Sequence, residues 1–147
     1  METKAMAQST GVKVGYWVAT GLTAFAFASG GAMDLMKGPQ VMEGMAHLGY
    51  PAYVAGILGT WKLLGALAIV APRFARLKEW AYAGIAFDLT GAAVSHYASG
   101  DAAGKVITPL VILAIAAASW ALRPASRTLS APVEPAARPA PEPAHAS

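Results

Sequence analysis

Cysteine is missing from all 147 residues, and charged side chains make up only 13% of them. The first absence excludes disulfides, thiolate nucleophiles and sulfur-ligated metals. The second leaves little polar surface for a soluble domain, in which roughly a quarter of residues are charged. No stretch carries a phosphate-binding glycine loop, a dinucleotide fingerprint or the spacing of a catalytic triad. The formal net charge is only +3 and its sources are dispersed, so nucleic acid is not an expected partner.

What the chain has in abundance is apolar sequence, 56% of residues, gathered in four blocks at about 14–33, 52–71, 80–99 and 106–122. Each approaches the ~20 residues that cross ~30 Å of hydrocarbon at 1.5 Å per residue, the last being shortest. A soluble bundle needs a polar stripe on every helix, and the second and fourth blocks offer almost none. The expected fold is therefore all-α, an integral membrane four-helix bundle occupying 14–123.

A polar leader, 1–13, precedes the first block. Ala24-Phe25-Ala26 and Ala26-Phe27-Ala28 fit the small-residue pattern of signal cleavage, but the block runs on apolar to Met33, which favours an uncleaved first span. Between the first two blocks Pro39 to Pro51 brackets a short segment. Val41, Met45 and Leu48 recur there at helical spacing, with Gln40, Glu43 and His47 towards the other side. It reads as an amphipathic helix too short to span, lying in the interface. Pro109 is expected in the first turn of the fourth span, where no intrahelical N–H is needed. From Pro124 onward, alanine and proline with scattered charge predict a disordered, partly polyproline-like tail, 124–147, with no core of its own.

Lys4, Lys13, Arg73, Arg76, Lys78, Arg123, Arg127 and Arg138 fall on one side of this scheme, and only Lys37 and Lys105 in loops on the other. The positive-inside rule then puts both termini in the cytoplasm and the 39–51 segment on the far side.

Within the spans the ionisable residues are Lys62, Asp88 and His96. Lys62 lies ~15 Å from the outer end of its span and Asp88 ~12 Å from the inner end of the next. In a ~30 Å core those depths nearly coincide, which predicts an interior Lys62–Asp88 ion pair. The pair either locks the second and third spans together or forms a proton-responsive or ligand-binding site. His96 falls near the outer end, close in depth to Asp34, Glu43 and His47, which together form an outer-face polar cluster. Glu43 and His47 share a helical face, but no dense His motif points to a metal. No catalytic residue is identifiable.

The stretches AHLGYPAY at Ala46–Tyr53, WKLLGALA at Trp61–Ala68, LKEWAYAGIAFDLTGAAVSH at Leu77–His96 and SWALRP at Ser119–Pro124 resemble the DoxX-like family. The resemblance covers about Tyr16 to Pro124. It implies a four-helix protein of the bacterial cytoplasmic membrane, some of whose relatives look like subunits of a membrane thiosulfate:quinone oxidoreductase. It implies no catalytic residue set, and the lack of cysteine argues against sulfur relay in this chain.

Three functions are compatible with these residues. The first is an accessory or assembly subunit that binds a membrane-protein partner, or a homo-oligomer, with no independent catalytic activity. The second is a quinone-linked redox component whose Lys62, Asp88 and His96 hold a quinone headgroup; no other cofactor is evident. The third is a small proton-coupled exporter with Asp88 as its midplane carboxylate.

Overall fold

The computed structural model describes residues 9–129. Among them the chain forms α1 (Thr10–Met36), α2 (Pro39–His47), α3 (Ala52–Val70), α4 (Ala75–Ala98), α5 (Ala103–Ala121) and a 3-10 turn at Ala125–Arg127, with no strand. The all-helical class expected from the apolar blocks is what is observed. The leader before Ser9 and the tail after Leu129 lie outside the described residues.

Local chemistry sets the helix ends. The Ser9 hydroxyl accepts from the Val12 N–H at 3.4 Å and opens α1. Lys37 in the left-handed region closes it, φ 49°, and Pro39 starts α2 in the first turn, where a missing N–H is harmless. α2 ends in a Schellman motif: Gly49 takes φ 79°, its N–H reaches the Ala46 carbonyl, and the Tyr50 N–H reaches that of Met45. α4 ends in the same way, with Gly100 at φ 71° and the Asp101 N–H on the His96 carbonyl at 3.0 Å.

The four long helices pack in a ring in which α1 meets α3 and α5, and α4 meets α5 and α3. Phe27, Ala66, Ile69, Tyr82, Ile85, Leu89 and Ala116 form the apolar centre. α3 and α5 are long and apolar enough to cross a membrane, yet only 28% and 17% of their apolar windows are buried. The core helix of a soluble protein buries most of such a surface.

Three expectations about boundaries change. α4 begins at Ala75, so Arg76, Lys78 and Glu79 belong to its first turns rather than to a loop. α5 begins at Ala103, which moves Pro109 out of the first turn and into the helix interior, where it is buried. The tail, expected to be structureless from Pro124, opens with the 3-10 turn packed against α4.

Candidate functional site

The site is assembled by a backbone contact. A methyl group at Gly31 would lie 2.9 Å from the Gly59 carbonyl oxygen, and one at Gly59 would lie 2.8 Å from that of Gly31. Only two glycines let α1 and α3 cross so closely. Asp34, one turn beyond Gly31, is thereby carried to Lys62, one turn beyond Gly59. The Lys62 ammonium donates to Asp34 Oδ2 at 2.9 Å, and Asp88 Oδ2 from α4 lies 3.9 Å from the same nitrogen. All three side chains are largely buried, with 22%, 11% and 17% of their surface exposed.

The expected meeting of Lys62 and Asp88 is thus present, but Asp34 is the closer partner. Asp34 leaves the outer cluster to which its sequence position assigned it, because α1 runs past Met33 to Met36 and crosses α3 at the glycines.

Lys62 and Asp88 line one part of a cleft of about 450 Å³ between α3 and α4, to which α1 contributes Phe27. Its walls are otherwise apolar: Leu58, Leu64, Ala68, Leu77, Ala81 and Ile85, with Gly65 and Gly84 leaving room between the helices. Trp61, Trp80 and Phe87 rim it and are 68%, 78% and 77% exposed. The volume and the pairing of apolar walls with a few convergent polar groups are those of a small-molecule site.

A sequence model of the DoxX-like family matches residues 18–119. The chain belongs to the DoxX-like family. No curated protein and no solved structure matches it. The match takes in part or all of each of the four long helices and both polar residues of the cleft, Lys62 and Asp88, and it agrees with a membrane protein whose apolar helix faces point outward.

A second polar cluster of this DoxX-like protein sits at the far end of α4. Asp101 accepts from His96 Nδ1 at 2.8 Å, Lys105 Nζ at 3.0 Å and His47 Nε2 at 3.1 Å, each imidazole donating in the tautomer or charge state the bond requires. These bonds, that to His96 first and that to Lys105 next, hold the Asp101 carboxyl far below the usual carboxylate range. The Tyr50 hydroxyl adds a 2.6 Å contact with Ser95, so the α2 segment is tied once to α4 and once to the turn that follows it. His47 and His96 therefore do meet at one end, as their depths suggested, but on Asp101, a residue that sequence reasoning missed. Its signal was the Gly100-Asp101 step: a glycine just past a helix end places the next residue beside the last turn. Glu43 is exposed and takes no part.

The opposite end holds buried cations. Lys78 is fully buried and donates to the carbonyls of Ala68 and Ile69, both at 2.8 Å, and of Ala71. It caps the C-terminus of α3, where unpaired carbonyls and the helix dipole favour a cation. Arg123 pairs with Glu79 at 2.8 Å and stacks over the rings of Tyr82 and Trp120. Between these ends, Ser119 joins Thr20 and Tyr82 through two 2.7 Å hydroxyl contacts and so ties α5 to α1 and α4. These cations hold the helices together and leave the cleft as the place for a ligand.

Proposed function

We propose that this DoxX-like protein is a four-span protein of the bacterial cytoplasmic membrane with both termini inside. Its role is that of an accessory subunit that holds a lipid-soluble, polar-headed molecule, of the quinone class, in the α3–α4 cleft. The observation that carries the reading is the combination at that cleft: apolar walls open to the side, an aromatic rim, and Lys62 and Asp88 reaching into it. A headgroup seated there meets both a donor and an acceptor, and its tail continues along Leu64, Ala68 and Leu77 towards lipid.

The span count draws support from α1 and α4, whose 27 and 24 residues match the length of α3 and α5 or exceed it. The orientation draws support from Arg73, Arg76, Arg123 and Arg127 sharing one end, where Arg127 reaches both Tyr16 and the Val70 carbonyl. With no thiol in the chain, electrons for a bound quinone come from a partner enzyme.

The test is purification in a lipid-retaining detergent followed by mass spectrometry of extracted small molecules. A stoichiometric molecule of the quinone class, recovered as quinone or quinol, is expected in the wild type and is expected to be lost from Lys62→Met. Wild-type protein that carries no small molecule, or a Lys62→Met variant that retains it undiminished, would remove the cleft from its role.

A further inference from the structure

Among the described residues no donor comes within hydrogen-bond length of the Asp88 carboxylate. Among the described residues its nearest cation, Lys62 Nζ, stands at 3.9 Å, beyond hydrogen-bond length, because the ammonium is drawn to Asp34 at 2.9 Å. The cleft thus offers a donor and an unmatched acceptor side by side, with two carboxylates facing one ammonium. A hydroxyl placed between them accepts from Lys62 and donates to Asp88, satisfying both. A carbonyl or ether oxygen in the same place accepts from Lys62 but turns a lone pair on Asp88, leaving a buried carboxylate without a hydrogen bond.

We infer that the cleft selects headgroups that carry a hydroxyl, so that a phenol or quinol binds in preference to an aryl ether or a quinone. The inference rests on the cleft being a ligand site and adds which form of ligand it takes. Asp34 is the positioning residue: by holding Lys62 it keeps the gap to Asp88 open. A hydrogen bond to a charged group that one ligand makes and its analogue lacks is worth about tenfold or more in affinity.

The experiment uses the full chain in lipid nanodiscs and two matched ligand pairs. One is a para-alkylphenol and its methyl ether; the other, handled without oxygen, is a short-tailed benzoquinol and its quinone. Binding is read from quenching of tryptophan fluorescence, since Trp61 and Trp80 rim the cleft. In the wild type the phenol and the quinol are expected to bind about tenfold or more tighter than the ether and the quinone. In Asp88→Asn, whose amide also donates, both ratios are expected to fall towards one. Ratios near one in the wild type, or ratios unchanged in Asp88→Asn, would overturn the inference while leaving the cleft a ligand site. Failure of all four compounds to bind would overturn the cleft reading itself. Should Asp88→Asn fail to fold, the wild-type phenol-to-ether ratio decides alone.

Discussion

Lys62 Nζ donates to Asp34 Oδ2 at 2.9 Å, joining the last turns of α1 to the middle of α3. Removing one member of a buried pair leaves its partner's charge uncompensated, which typically costs ~3–5 kcal/mol. Lys62→Met is therefore expected to lower the thermal midpoint markedly. Adding Asp34→Asn should recover more stability than adding Asp88→Asn, because Asp34 is the hydrogen-bonded partner. Thermal unfolding of the three variants in one detergent checks this; larger recovery from Asp88→Asn would make Asp88 the true counter-ion.

The crossing that creates the pair depends on two glycines. Gly31→Ala sets a methyl group against the Gly59 carbonyl and Lys62 Cβ, at 2.9 and 3.0 Å. Neither backbone can yield without parting the helices, and overpacking of this kind costs ~1–3 kcal/mol. Gly30→Ala, with nothing within 4 Å of the added carbon, is the control and is expected to leave stability unchanged or raised. The comparison is made by chemical or thermal denaturation.

Lys78→Met is expected to fray the end of α3. Three carbonyls, those of Ala68, Ile69 and Ala71, lose their cap, and buried unpaired acceptors cost ~1–3 kcal/mol each when no other donor replaces the lost one. Hydrogen exchange should accelerate in the last turn of α3, with little change in α5. Uniform acceleration along the chain would instead mean that Lys78 acts on the whole fold.

Ser119→Ala removes the hydroxyl shared by Thr20 and Tyr82 and leaves both without it at once. Tyr82→Phe removes only one of the two contacts. The serine variant is expected to be the less stable by about 1 kcal/mol, as measured by denaturation.

Asp101 gives the α2 end its dependence on pH. Its carboxyl is held below the ordinary range in the folded chain, so its contribution to stability is fully present above the unfolded value of about 4 and is lost as pH falls through the lower, folded value. Asp101→Asn should remove that acid-sensitive part. The stability gap between wild type and variant is expected to shrink as pH is lowered from about 5 towards 2. A gap independent of pH over that interval would exclude the assignment.

The helices and their apolar character were legible in the sequence because covering the backbone polar groups and matching the apolar length are local requirements. The depth argument for Lys62 and Asp88 also worked, since helical rise alone fixes it. It failed to find Asp34 as the closer partner because which helix crosses which, and where, depends on Gly31 meeting Gly59, a contact between backbones far apart in sequence. Asp34 goes to α3 at the glycine crossing, whereas His47 goes to the α4–α5 turn.

Lys78 shows the same division. A lysine beside Arg76 in a basic stretch reads as a solvated loop charge; a helix that starts at Ala75 turns it inward onto the open end of α3.

The sequence by itself determined the helical class, the outward apolar faces and the short α2 segment, which follow from composition and period along the chain, and the family, which follows from the resemblance of particular stretches. Only the tertiary structure decided that Asp34, Lys62 and Asp88 converge beside an apolar cleft and that His47 and His96 share Asp101. The physical reason is that helix rise and periodicity are fixed residue by residue, while the partner of a buried charge is fixed by the close approach of two backbones far apart in sequence.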